Sequence, residues 1–174
     1  IAGTIIISQV LGLVRQRLLV SIFGASDILG VYLASSRLPD FLFQLIIAGA
    51  LTSSFIPVFS EFLGKEKYKD AQKLASTLLV LGLSVFGVFG VILFIFATQF
   101  SRLIAPGFSE SQVDLMSQLT RIIIGGELLF IIGSYLSAVL QSYRHFFLPG
   151  IATSLYNLGI ISGILLLSQT IGIF

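Results

Sequence analysis

The stretch LASTLLVLGLSVFGVFGVILFIFATQFS, from Leu74 to Ser101, contains no charged side chain. A helix that crosses a bilayer needs about 20 consecutive, mostly apolar residues. This stretch is long enough to cross, and it therefore predicts a membrane protein built from helices.

The composition of the whole chain agrees with that prediction. Of its 174 residues, 56% are hydrophobic and only 10% are charged, whereas soluble domains carry roughly 25% charged residues. A net charge of +2 argues against a nucleic-acid binder. The absence of cysteine and the single histidine argue against thiolate or multi-histidine metal sites. The sequence shows no catalytic constellation or nucleotide fingerprint, so we predict neither an enzyme nor a cofactor.

Apolar runs, turns and caps divide the chain into five predicted helices. Pro39 and Pro57 predict a kink in the second helix, whose last turns we expect to leave the membrane. Ser109 and Gln112 have the spacing of a capping box, which starts the fourth helix near Glu110. The expected fold is an all-α polytopic bundle forming a single membrane domain over residues 1–174, with helices at 1–23, 28–63, 70–102, 110–142 and 146–174.

Basic residues in the connections predict the orientation. Cytoplasmic connections carry an excess of Lys and Arg. Here the second connection contains four lysines and the fourth contains Arg144. We therefore expect the N-terminus of a multi-pass membrane protein to be cytoplasmic.

Arg15 and Arg17 interrupt the first predicted span. An arginine near the bilayer centre costs at least about 2.5 kcal/mol, so Arg15 needs a protein or water-filled environment. Arg17 points roughly 200° away around the helix and is expected to snorkel to the interface. For Arg15 two interpretations are open: an ion pair that only stabilises the bundle, or contact with an anion in a cavity.

Two further charged sites fall in predicted spans. Arg37 and Asp40 are three residues apart and share a helix face, so they form either a local pair or part of a cavity. Arg37 is then a second guanidinium beside Arg15, suited to binding phosphate oxygens in pairs. Glu127 follows Gly125 and Gly126, and either pairs with an arginine or takes part in transport as a proton or cation relay.

Several motifs together resemble the N-terminal part of the MurJ/MviN family of lipid II flippases, within the MOP exporter superfamily. They are SQVLGLVRQRLLVSIFGAS, RLPDFLFQLIIAGALTSSFIPVFSEF, APGF and LQSYRHFFLPGIATSLYNLGII, in the family's order and spacing. The resemblance covers nearly the whole chain. It implies about fourteen helices in two lobes around a cationic cavity, with this chain as the first five helices of the N-terminal lobe.

The resemblance also implies a substrate and a mechanism. The substrate would be an undecaprenyl-diphosphate-linked peptidoglycan precursor, moved across the membrane by alternating access. The expected partners are this lipid-linked diphosphate, the membrane lipids and the C-terminal lobe of the same polypeptide, and no nucleic acid. The expected substrate-binding residues are Arg15, Arg37, Gln9, Gln16, Asp40 and Glu127.

The chain departs from the family pattern next to Arg15. Gln9 stands where a second arginine is common, and Gln16 stands where an acid is common. A less cationic cavity leaves two alternatives open. One is a related exporter of polysaccharide lipids or drugs, and the other is a non-transport membrane scaffold.

Overall fold

A computed structural model describes residues 2–24, 26–45 and 51–171, and this part of the chain is helical without strands. The prediction of an all-α, multi-spanning membrane protein is confirmed. The helices are α1 (Ala2–Phe23), α2 (Asp27–Phe43), α3 (Ile56–Gly64), α4 (Tyr68–Ile95), α5 (Ala97–Ile104), α6 (Glu110–Ser142) and α7 (Phe147–Ile171), with a π-helical turn at Leu51–Phe55.

Among the described residues, four helices are long and apolar enough to cross a membrane. They lie at Ile6–Phe23, Tyr68–Ile95, Glu110–Ser142 and Phe147–Leu166. The segment predicted as the second span is not among them. Its helix α2 has only 17 residues, fewer than the roughly 20 that a straight span requires.

The single helix predicted over residues 28–63 stays a prediction, because residues 46–50 lie outside the described part of the chain. α2 covers Asp27–Phe43, residues 44–45 and Leu51–Phe55 are π-helical, and α3 follows directly at Ile56–Gly64. Pro57 lies in the first turn of α3, and Phe55 before it is helical at φ −66° and ψ −53°. This proline therefore lies where π-helical pairing changes to α-helical pairing.

Pro39 lies inside α2 and is buried. A proline at this position cannot donate to the carbonyl four residues earlier, which belongs to Ser35. Thr120 of α6 compensates, because its hydroxyl donates to the Ser35 carbonyl at 3.1 Å. Ser35 and Thr120 are both buried, so the carbonyl released by Pro39 becomes a tie between α2 and α6.

The structure divides the single helix predicted over residues 70–102 into two helices. The helix stops at Phe96, which has φ −95° and ψ 19°, and α5 begins at Ala97. Arg121 of α6 donates through Nε to the Phe94 carbonyl at 3.2 Å. In an uninterrupted helix that carbonyl would accept the N–H four residues later. The arginine therefore satisfies the end of α4, and α5 turns to pack against α6.

The N-terminus of α6 has the predicted capping box. The Ser109 N–H donates to Oε1 of Gln112 at 2.8 Å, and the Gln112 N–H donates to Oγ of Ser109 at 3.4 Å. Two backbone donors at the helix start are thereby satisfied by local side chains.

Contacts divide the chain into two compact units. The first contains Ile1–Leu29 and Arg144–Phe174, and the second contains Gly30–Tyr143. In the first unit α1 packs against α7. The second is built on a core that includes Phe55, Phe59, Phe86, Leu93, Ile124 and Ile131. The single membrane domain over 1–174 stays a prediction.

Candidate functional site

Arg15 lies on α1 and is half-buried. Its guanidinium carbon lies 5.8 Å from the centre of the Tyr156 ring on α7, within the range of a cation–π contact. Its Nε atom is buried and has no hydrogen-bond partner among the described residues. Arg15 therefore combines a permanent positive charge with an unused donor, the combination that an anionic oxygen requires.

Asn157, next to Tyr156, connects α7 to α1. Its Nδ2 donates to the Ser8 carbonyl at 3.2 Å and to the Thr153 carbonyl at 3.2 Å. Asn157 is 6% exposed, and a buried amide between spans contributes about 1 kcal/mol. This bond fixes the face of α7 that meets α1, and with it the position of the Tyr156 ring.

The other predicted positions on α1 are more open than Arg15. Gln9, Gln16 and Arg17 are all exposed. The assignment of Arg17 as an interfacial anchor stays a prediction, as do the roles of Gln9 and Gln16 at a substrate site.

Arg37 is exposed on α2, and it forms no ion pair with Asp40 among the described residues. The ion pairs of the described residues are Lys65 with Glu61 and Arg102 with Glu110. Arg37 is in neither of them, and its guanidinium carries no carboxylate partner from the described part of the chain.

Asp40 instead lies beside Glu127 of α6, and the two carboxyl groups are close enough to interact. Oε2 of Glu127 is buried without a hydrogen-bond partner in the described structure. The pairing of Glu127 with an arginine is therefore not observed there. Two adjacent carboxyl groups can share a proton or contact a cation. No group of three or more potential metal ligands is found in residues 2–24, 26–45 and 51–171.

The structure thus places the predicted site residues in two units. Arg15, Gln9 and Gln16 lie in the unit of α1 and α7, and Arg37, Asp40 and Glu127 lie in the other. Within the second unit Asp40 and Glu127 are brought together. A cavity shared by Arg15 and Arg37 stays a prediction.

An open groove of about 400 Å³ runs along α4 but does not suit a charged ligand. No predicted site residue lines it, and its lining carries no charged group, being Ser76, Thr77, Val80, Leu81 and Ser84. A diphosphate needs cationic or donor groups, so this groove is not a candidate for its site.

Sequence reasoning missed Tyr156 and Thr120. The pair Tyr156–Asn157 interrupts an apolar span, which is the available signal for an interhelical contact. For Thr120 the signal is indirect. Pro39 has no N–H, so the Ser35 carbonyl loses its donor within the helix, but the sequence does not tell which helix supplies another donor.

A comparison with protein families now identifies the chain. The family model described as "Lipid II flippase MurJ" matches residues 19–174. The chain belongs to the MurJ family. The resemblance seen in its motifs is confirmed.

Individual MurJ relatives agree. The chain is similar to a probable lipid II flippase MurJ of Buchnera aphidicola subsp. Schizaphis graminum, with 30% identity over 90% of this chain and 31% of the relative. It is similar to the lipid II flippase MurJ of Burkholderia cenocepacia, with 29% identity over 93% of this chain and 32% of the relative. The corresponding protein of Thermosipho africanus is 30% identical over 95% of this chain and 35% of its own length.

The chain therefore spans about a third of the length of the curated MurJ relatives that it matches. No solved structure matches it.

Proposed function

We propose that this protein binds a polyprenyl-diphosphate-linked peptidoglycan precursor of the lipid II type and moves it across the bacterial cytoplasmic membrane by alternating access. The observation that carries the proposal is Arg15, a half-buried arginine in a helix long and apolar enough to cross a membrane, whose Nε has no partner in the described structure. A buried, unused donor on a cation is costly unless a ligand satisfies it.

The chemistry of arginine suits the diphosphate. The planar guanidinium can donate two parallel hydrogen bonds to a phosphate group, and it is more weakly hydrated than the ammonium of lysine. In this proposal Arg15 and Arg37 bind the diphosphate, and Gln9, Gln16, Asp40 and Glu127 complete the polar surroundings.

The two alternatives receive less support. The scaffold hypothesis requires arginines that are neutralised by carboxylates. A cavity lined by aromatic and acidic groups, with the arginines paired away, would favour the exporter of polysaccharide lipids or drugs. In the described part of the chain neither Arg15 nor Arg37 is in an ion pair, which favours an anionic substrate. In the same proposal the protein is a transporter without enzymatic activity and needs no cofactor.

The proposed orientation places the N-terminus in the cytoplasm. This requires α2 and the π-helical region to cross the membrane together as a fifth span. At about 1.5 Å per residue the 17 residues of α2 extend about 26 Å, close to the hydrocarbon thickness of about 30 Å. The exposed lysines Lys65, Lys67, Lys69 and Lys73 then lie on the cytoplasmic side, as the positive-inside rule requires.

The proposed partners are the membrane lipids and a second lobe of the same polypeptide. The share of the relatives that this chain covers, about a third, supports further helices in the full-length protein. That lobe would close the other side of the substrate path.

Complementation tests the function. A bacterium depleted of its own lipid II flippase is supplied with the full-length protein as wild type, Arg15→Ala, Arg15→Lys or Arg17→Ala. We expect growth with wild type and with Arg17→Ala, loss of growth with Arg15→Ala, and a partial defect with Arg15→Lys. Each variant must be present at wild-type level by immunoblot. Full growth with Arg15→Ala would contradict the role of Arg15.

A further inference from the structure

We infer that Tyr156 is the positioning residue for the Arg15 guanidinium, holding it ready for the diphosphate while leaving its charge and its hydrogen-bond donors unused. This inference rests on the proposed function and deepens it. It adds a residue of α7 to a site that the sequence assigned to residues of α1, α2 and α6.

The first step is the kind of partner that Arg15 has. A carboxylate would neutralise the guanidinium and accept hydrogen bonds from its N–H groups, so a phosphate would have to displace the carboxylate before it could bind. The face of an aromatic ring attracts the cation through its quadrupole and accepts no conventional N–H···O hydrogen bond. The Tyr156 ring, 5.8 Å from the guanidinium carbon, is therefore a partner that does not compete with the substrate.

The second step is the local sequence. Gln16, the residue after Arg15, is uncharged, so the neighbour in sequence supplies no counter-charge. An aromatic ring from α7 is the attractive partner that the described structure gives to Arg15 in its place.

The third step is a comparison within the same protein. Arg121 lies over the Phe94 ring at the same distance, 5.8 Å, but its Nε donates to the Phe94 carbonyl at 3.2 Å. The Nε of Arg15 is buried with no partner in the described part of the chain. At the same distance from a ring, the Nε of Arg121 is used in a hydrogen bond between helices, whereas the Nε of Arg15 is available to a ligand.

The fourth step is what fixes the ring. Asn157 follows Tyr156 directly, and its bond to the Ser8 carbonyl holds that face of α7 against α1. Since consecutive helical residues are about 100° apart, fixing Asn157 also fixes the direction of Tyr156. The ring is therefore held beside α1 before any substrate arrives.

The test uses the purified full-length protein in detergent and measures the Kd for undecaprenyl diphosphate. The variants are Tyr156→Phe, Tyr156→Leu, Arg15→Ala and the double variant of Arg15→Ala with Tyr156→Leu. Phe94→Leu is the matched control, because it removes the same kind of ring contact from Arg121. Thermal unfolding of each variant verifies folding.

We expect Tyr156→Leu to weaken binding about three- to tenfold, the range of a partly desolvated cation–π contact. Tyr156→Phe should bind with wild-type affinity because it keeps the ring. Phe94→Leu should also bind as the wild type does. The double variant binds no more weakly than Arg15→Ala, since Tyr156 acts through Arg15. Replacing Tyr156 by phenylalanines that carry more and more fluorine should lower the affinity step by step. Fluorine withdraws electron density from the face of the ring and weakens its attraction for the cation, while the size of the ring stays nearly constant.

The outcomes separate the two proposals. Wild-type affinity in Arg15→Ala would overturn the diphosphate contact itself. If Arg15→Ala binds undecaprenyl diphosphate weakly while Tyr156→Leu binds it with wild-type affinity, only the role of Tyr156 is overturned. Four further outcomes would each overturn the role of Tyr156. They are additive losses of affinity in the double variant, equal losses in Tyr156→Phe and Tyr156→Leu, an affinity that does not change along the fluorine series, and a loss in Phe94→Leu equal to that in Tyr156→Leu.

Discussion

At the scale of single residues, two kinds of polar group are found inside this apolar chain besides the serines that bond to their own helices. Thr120, Asn157 and Arg121 donate to backbone carbonyls of other helices. Arg15 and Glu127 each keep a buried polar atom without a hydrogen-bond partner among the described residues. Because water is scarce in the membrane, satisfied groups stabilise helix packing, and unsatisfied ones indicate a ligand or a proton that the function supplies.

The tie between Pro39 and Thr120 gives a test of the first kind. Thr120→Val removes the donor to the Ser35 carbonyl and is expected to lower the free energy of unfolding by about 1 kcal/mol, whereas Thr120→Ser keeps the hydroxyl and the stability. In a Pro39→Ala background a backbone N–H is available to that carbonyl, so Thr120→Val should cost less. Unfolding of the four proteins in detergent measures this coupling, and equal costs in both backgrounds would refute the tie.

Glu61 and Lys65 give a prediction of pH dependence outside the spans. The hydrogen bond and the charge of Lys65 lower the pKa of the Glu61 carboxyl from its usual 4.5. The folded-state pKa is lowered, so the pair stabilises the protein above pH about 4.5. That contribution is lost as the pH falls from 4.5 through the folded-state value. The effect on stability is small because both side chains are mostly exposed.

The titration itself is the sharper measurement. In an NMR titration, Lys65→Met should raise the pKa of Glu61 towards 4.5, because the hydrogen bond and the nearest positive charge are gone. Lys69→Met, which removes a lysine of the same connection, is the control and should leave the titration unchanged. A Glu61 midpoint that is insensitive to Lys65→Met would contradict the pairing.

At the scale of elements, the capping box decides where α6 begins. Ser109→Ala removes the acceptor for the Gln112 N–H and is expected to lower the free energy of unfolding by about 1 kcal/mol. Ser109→Asp keeps an acceptor and should retain most of the stability. Thermal unfolding compares the three proteins; the assignment fails if alanine and aspartate behave alike.

The elements also show which features a sequence can predict. The start of α6 was predicted because the residues of its cap, Ser109 and Gln112, lie within one turn. The break after Ile95 was not predicted, because the side chain that bonds to the end of α4, Arg121, is 27 residues from its acceptor Phe94. The π-helical turn at Leu51–Phe55 was likewise not predicted, since a proline such as Pro57 indicates an irregular helix but not the kind of irregularity.

The candidate site follows the same division. Arg15, Arg37 and Glu127 were found because a charge in an apolar span stands out in the sequence. Their contacts could not be predicted from the sequence. Tyr156, the ring partner of Arg15, lies on the last helix, and Asp40 lies beside Glu127 of α6 and does not pair with Arg37. Long-range packing, which hydrophobic patterns do not encode residue by residue, decides these pairings.

At the scale of the whole molecule, the chain is the part of a MurJ-family protein that contributes Arg15 on α1 and its ring partner on α7. In the proposed function the arginines in its spans would supply the cationic groups that a lipid-linked diphosphate needs inside the membrane. In the proposed mechanism this charge is presented first to one side of the membrane and then to the other.

The most direct measurement is the rate at which lipid II appears in the outer leaflet of cells that depend on the full-length protein. At matched protein levels we predict that Arg15→Ala lowers this rate at least about tenfold, the effect of losing hydrogen bonds from a charged group, whereas Arg17→Ala leaves it unchanged. An outer-leaflet rate for Arg15→Ala equal to that of the wild type would contradict the account.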